Sequence, residues 1–279
     1  MLPNIDLPAM DRVARDQANR RMAEYLCDVM AAVLPRVPTA PECVPRLVEV
    51  AGDAACAAGY EGGRGYSAYI LISFLLGPGW ERDPSTHAVT QVMADPGMDI
   101  DTRLDLALNR AILLRTDLEA LMPRMLARIE SALAAHDAVP MEREWQAFQE
   151  LASMRGVAQD ERVLDLLERY ESDAFGLQRL SPPKRKRLTA SDRRTYEHIN
   201  WPLPQPTDVY RNVPPQICRQ VGRHLLLALV YGRDYHVNPL LWPLQQVMDR
   251  SQATAWQASP LQAYLQRHRQ VLTELSHGR

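Results

Sequence analysis

Apolar residues recur at three- and four-residue spacing along most of the chain, the period of a helix with one buried face. No alternating run rich in Val, Ile and Thr interrupts that pattern, so the expected fold is all-α. A first helix is predicted over 8–34, opened by Pro8 and closed by Pro35, with Val13, Met22, Leu26, Val29, Met30 and Val33 as its apolar stripe. A second spans about 42–58 and stops at Gly59, and a glycine-rich turn follows over 60–65. After the break at Asp95-Pro96-Gly97, Asp101 is expected to cap a helix carrying Leu104, Leu106, Leu108, Ile112 and Leu113. A long helix over 117–135 follows, in which Pro123 is either a kink or a restart. Two more amphipathic helices fill 139–175, separated at Gly156, and a polar one closes the chain from Pro260 to about Leu275.

One stretch organises this pattern. Tyr69 to Leu76 is an apolar helical run, and Gly77 stands where a helix wants a left-handed terminal residue. Asp83-Pro84 opens the next helix, with Asp as a side-chain acceptor and Pro at a position whose N–H is not needed. Trp80 is the large apolar group of the corner and is expected to plug it. The same punctuation returns at an offset of 155: Gly232 for Gly77, Tyr235 for Trp80, Asn238-Pro239 for Asp83-Pro84, and Gln246-Val247-Met248 for Gln91-Val92-Met93. Two related helix–corner–helix units are therefore expected, at about 66–94 and 221–249.

Composition changes at Gly176. Seven basic residues against two acidic lie between there and Asn200, with the run Lys184-Arg185-Lys186-Arg187 after two prolines. Trp201-Pro202-Leu203-Pro204-Gln205-Pro206 then forces an extended crossing. This places a soft boundary between an N-terminal helical domain, 1–175, and a C-terminal segment, 176–279, or else both halves form one continuous body.

A formal net charge of −2 argues against a general nucleic-acid binder, which carries a basic excess. Cys27, Cys43, Cys56 and Cys218 sit inside apolar helical patterns without C-x-x-C spacing and read as free thiols of a reducing compartment. The start of the sequence shows no basic segment followed by an apolar one, and no run of 18 apolar residues exists. A cytoplasmic protein without membrane segments is expected.

The first half resembles a family of small helical proteins encoded in type VI secretion clusters near spike and effector genes. The resemblance covers 46 to about 114. It is carried by the Ala-rich helix ending in Ala57-Ala58-Gly59-Tyr60, then Tyr69 to Leu76, Gly77, Trp80, Asp83-Pro84, and Val92-Met93-Ala94-Asp95-Pro96. This chain departs from the family in placing Trp80 where Phe is usual and in adding a long second half. The resemblance implies an accessory role, either in loading a secreted effector or in neutralising it.

Catalytic patterns are sparse. Ser67 is not in a G-x-S-x-G elbow, and no H-E-x-x-H pair offers a zinc site, so neither metal nor cofactor is expected. His87 aligns with Trp242 across the two units, which favours packing over ligation. Asp83 has a capping task, Glu81 beside it is solvated, and Tyr235-His236 reads as a corner plug next to an exposed imidazole. Gly62-Gly63-Arg64-Gly65 can cradle an anion on backbone N–H groups, but it lacks the Lys-Ser/Thr of a P-loop.

Binding patterns are stronger. Lys184, Arg185, Lys186 and Arg187 form either a solvated face or a contact for an acidic partner. Trp201 and Tyr210, on the stiff crossing, suit interface anchors and equally suit staples between the two halves. These six residues are the expected partner-binding set. The expected function is a non-enzymatic adaptor or chaperone that binds a secreted effector, toxin or spike protein. The alternatives are an immunity protein for a cognate toxin and an enzyme using His236 or His87 in an unfamiliar site.

Overall fold

A computed structural model describes residues 7–29, 36–37, 39–134, 141–157, 160–251 and 260–277. The described residues are helical, with no β-strand among them, as the periodicity requires. In order, the helices are α1 (Leu7–Val29), α2 (Cys43–Ala57), α3 (Gly63–Leu76), α4 (His87–Met93), α5 (Ile100–Ala134), α6 (Glu142–Met154), α7 (Asp160–Leu177), α8 (Ala190–His198), α9 (Pro215–Tyr231), α10 (Trp242–Ser251) and α11 (Pro260–His277). No helix among the described residues is long and apolar enough to cross a membrane. All four cysteines are free, Cys43 and Cys218 buried, Cys27 and Cys56 partly exposed.

Several boundaries depart from the sequence reading for local reasons. The turn before α3 is shorter than expected, because Gly63 and Gly65 are already helical. The cap of α5 is Asp99 rather than Asp101: its carboxylate accepts from the Thr102 amide at 2.9 Å and the Thr102 hydroxyl at 2.6 Å. Those bonds hold the Asp99 carboxyl below its ordinary range. Asp101 instead faces Arg64. Pro123 neither stops nor restarts α5, which runs through it. Closure of the first helix, expected at 34–35, falls outside the described residues.

The chain divides into two compact units. The first comprises Met1–Ala127 with Val230–Arg279, and the second Arg128–Leu229. The chain leaves the first unit within α5 and re-enters it within α9. Position 176, where the composition changes, lies inside the second unit.

In the first unit, α2 buries Val44, Leu47, Val48, Ala51 and Ala55, and α3 buries Tyr69, Ile70 and Ile72. Val13 of α1 is exposed, so the stripe expected there turns inward only further along, at Leu26. At the start of α5 the buried row is Leu104, Ala107 and Ala111, while Leu106, Ile112 and Leu113 are exposed, and further along Met122, Met125 and Leu126 turn inward.

Both corners belong to this unit and share three backbone bonds at the offset of 155. Arg82 N bonds Gly79 O as Val237 N bonds Asp234 O. Asp83 N bonds Trp80 O as Asn238 N bonds Tyr235 O, and Thr86 N bonds Asp83 O as Leu241 N bonds Asn238 O. Asp83 caps the Ser85 amide at 2.9 Å, and Asn238 caps the Leu240 amide at 3.0 Å. Trp80 and Tyr235 are each 3% exposed. The Trp80 indole N–H donates to Ser73 Oγ at 3.2 Å, and its ring lies 5.3 Å from that of Tyr69.

The corners also touch, reciprocally. A methyl group on Gly232 would stand 3.2 Å from Leu76 O, and one on Gly77 would stand 3.7 Å from Tyr231 O. Both glycines have φ near +90°, which other residues avoid. Asp83, besides capping its own helix, accepts from the Arg233 amide at 2.8 Å. Arg82 pairs with Asp234 at 2.7 Å.

The second unit is built on α6, α7 and α9. Phe148 and Leu151 of α6, with Leu166, Leu167 and Tyr170 of α7, are buried to 2% exposure or less. Gly156 ends α6 in the left-handed region, φ 77°, as the sequence requires.

A candidate binding surface on the second unit

The basic run and the proline-rich crossing lie in the second unit, and their geometry follows from helix ends. α7 terminates with Arg179 in the left-handed region: Leu180 N reaches Phe175 O at 2.9 Å and Arg179 N reaches Gly176 O at 2.9 Å. The chain then runs extended to Thr189, whose hydroxyl and backbone exchange hydrogen bonds with Asp192 in a capping box that starts α8. The Thr189 amide and hydroxyl, with Lys186, hold the Asp192 carboxyl down at about 2. The hydrophobic pattern does not predict α8; its sequence signal is the capping box Thr189-x-x-Asp192. It ends at Asn200, φ 52°, with Trp201 N bonded to Tyr196 O at 2.9 Å. Trp201 is thereby delivered to the surface, 65% exposed, at the start of the extended crossing. A short 3-10 turn, Pro206–Asn212, leads back to the body of the unit.

The six expected partner-binding residues divide into two groups. Lys184, Lys186, Arg187 and Trp201 are exposed. Lys186 pairs with Asp192 at 3.0 Å, and Arg187 lies between Asp165 at 2.7 Å and Glu168 at 2.5 Å. Those two carboxylates raise the Arg187 pKa above its ordinary value. Exposed pairs of this kind contribute little stability and can be exchanged for a partner's carboxylates.

Arg185 and Tyr210 face the other way. The Arg185 side chain is 8% exposed and its guanidinium grips Glu171 of α7 through two bonds, at 2.9 and 3.0 Å. The same guanidinium donates to Pro206 O at 3.1 and 3.2 Å. Tyr210, 1% exposed, donates its hydroxyl to the same Glu171 carboxylate. Burial, then the Glu171 charge, push the Tyr210 phenol well above its ordinary pKa. Burial opposes the Arg185 charge, and Glu171 more than offsets it. Sequence reasoning places these two residues on an interface, whereas their side chains form an internal tie.

No family model, characterised protein or solved structure matches this chain.

Within the segment 177–203, Leu177, Leu180, Ile199, Trp201 and Leu203 are exposed by 37% or more. Between Lys184 and Arg211 there are seven cations and three carboxylates on a chain of net charge −2. With Arg185 neutralised inside by Glu171, and Arg187 and Lys186 paired to neighbouring carboxylates, the surface combines apolar anchors with the exposed cations Lys184, Arg193 and Arg194, which suit an acidic protein surface.

The remaining candidates are engaged elsewhere. Arg64, in the first turn of α3, is paired with Asp101 and Asp105 on α5. Asp83 is occupied by two amides, and His87 is an exposed residue at the start of α4. Among the described residues, no group of three or more His, Cys, Asp or Glu side chains is placed to hold a metal ion. A groove of about 600 Å³ lies between α1 and α2, edged by Asp16, Glu24, Asp28 and Glu49. His268 of α11 is buried, with its Nε2–H donating to Arg36 O at 2.7 Å and its Nδ1 accepting from the Tyr231 hydroxyl at 2.8 Å. Both ring nitrogens are thus used within the core of the first unit.

Proposed function

We propose that this protein is a protein-binding accessory factor, an adaptor or chaperone for an effector of type VI secretion, and that it recognises an acidic surface through the segment 184–203. The observation that carries the reading is Trp201, 65% exposed on a backbone fixed by a helix end before it and prolines after it. A large aromatic on a constrained backbone loses less entropy on docking, which is what an interface anchor needs. The cations around it speed encounter with a partner of opposite charge. The resemblance over 46–114 supports an effector as the partner class.

The test is co-purification with effector proteins encoded beside this gene, followed by binding kinetics on variants. Trp201→Ala should raise the dissociation rate, by about tenfold or more for an anchor worth over 1.4 kcal/mol. Lys184, Lys186 and Arg187 changed together to Ser should lower the association rate, an effect that vanishes at high salt. Arg185 is left out of that set because it is buried. If both variants melt like the parent and bind the effector with parental kinetics, the interface lies elsewhere. If the bound partner is a toxin whose activity disappears on binding, the role is immunity rather than delivery.

A further inference from the structure

The twenty residues from Lys186 to Gln205 form a loop with no buried side chain of its own, α8 included. Of its apolar side chains only Leu188 and Tyr196 are even half-buried, so such a segment has little apolar burial to oppose the entropy of ordering it, and its position depends on what holds its ends. Its interior bonds are short-range ones: the Thr189–Asp192 capping box, the Lys186–Asp192 pair, and the Trp201 amide on Tyr196 O. These shape the loop without attaching it to the unit. Arg187 does reach α7, but at half exposure, where ion pairs contribute little.

The neck is different. Arg185, immediately before the loop, and Pro206, immediately after it, are joined by two hydrogen bonds from the guanidinium to the carbonyl. Glu171 of α7 then receives Arg185 from one side of the neck and Tyr210 from the other. The bonds are charge-assisted, two of them form a bidentate pair, and the carboxylate is 3% exposed. A guanidinium can serve a carboxylate and a carbonyl together because its donors are fixed in one plane. A lysine ammonium cannot span both in that geometry.

We infer that Glu171, Arg185 and Tyr210 are positioning residues that clamp the neck of a recognition loop and hold Trp201 ready to dock on an acidic partner surface. This rests on the reading of 184–203 as an interface. The clamp itself can be examined without any partner. The loop contains Arg193 and Arg194, both exposed, so trypsin reports directly on how freely it opens.

The experiment compares the parent with Arg185→Lys, Tyr210→Phe and Trp201→Ala in the full chain. Initial rates of tryptic cleavage after Arg193 and Arg194 and hydrogen exchange of α8 amides are followed, with α7 amides and thermal melts as the folding control. Arg185→Lys should speed cleavage and α8 exchange by about tenfold or more, with α7 protection retained. Tyr210→Phe keeps the Arg185–Pro206 neck and should change both by less. With an effector in hand, Arg185→Lys should lower the association rate by a similar factor, since fewer molecules present the loop in its docking position. Parental cleavage and exchange in Arg185→Lys overturn the clamp whatever binding does. Faster cleavage with unchanged binding, where Trp201→Ala does weaken binding, overturns the positioning role and leaves the interface standing. Faster cleavage with binding unaffected in both variants overturns the interface reading, and the positioning role with it. Should Arg185→Lys fail to fold, Glu171→Gln, which keeps the size of the side chain and weakens its hold on Arg185, must loosen the loop in the same two assays; if it does not, the clamp is overturned.

Discussion

A single side chain can carry a corner. Trp80 is 3% exposed, donates to Ser73, and packs on Tyr69. Trp80→Ala should cost about 3–5 kcal/mol in denaturant melts, the range for emptying a large aromatic site. A loss below about 1 kcal/mol would show that the corner does not depend on its plug. At this scale the sequence is informative wherever the physics is local. Gly77, Asp83, Asn238 and Gly156 are legible because left-handed backbone and capping acceptors are demanded by the neighbouring few residues. Choosing between Asp99 and Asp101 is harder, since two acidic residues stand within one turn and only the backbone path decides. The tie of Arg185 is not legible, and Tyr210 is legible only as a staple without a named partner. Their partner Glu171 is 14 and 39 residues away, and α7 offers several other carboxylates that would serve a sequence argument equally well.

At the scale of elements, periodicity finds helices but says little about which face turns inward. At the start of α5 Leu104, Ala107 and Ala111 turn inward while Leu106 and Leu113 stay outside, so the expected leucine stripe holds only one of its inward positions there. α8 escapes periodicity altogether: none of its residues is buried, so there is no apolar stripe to read, only its capping box. α11 has a different dependence, on pH. Its His268 is 1% exposed, and burial lowers its pKa from 6.5 to about 4, with nearby Arg115 acting in the same direction and the Arg36 carbonyl and Glu119 against it. The rings of Tyr231 and Tyr264 pack against it. The folded pKa lies below the unfolded one, so the unfolded chain takes up the proton first. Stability present above pH 6.5 is therefore lost as pH falls through 4, by roughly 3 kcal/mol in total. Urea melts at pH 7.5 and 4.5 check this, with His268→Gln as reference. If that variant loses as much stability on acidification as the parent, His268 is not the responsible group.

The whole molecule is organised by a unit assembled from two distant stretches of chain. Tyr231, Tyr235, Leu240, Leu244, Leu261 and Leu265 all sit at 9% exposure or less, and with α1–α4 they belong to the first unit. A chain ending at Leu229 should therefore lose the cooperative unfolding transition of that unit, as read by circular dichroism and calorimetry. A truncated chain that melts like the parent would show that Met1–Ala127 is self-sufficient. The reciprocal contact between Gly77 and Gly232 also bears on how the protein is made. Both glycines meet each other's neighbourhood only after the roughly one hundred residues of the second unit have been synthesised, which takes on the order of 5–20 s at the ribosome. Throughout that delay the first corner waits with its complementary face uncovered, and the 230–279 segment of another nascent chain presents the same chemistry. Rapid expression should accordingly enrich dimers in which two polypeptides have exchanged their carboxyl-terminal helices, and slower synthesis should suppress them.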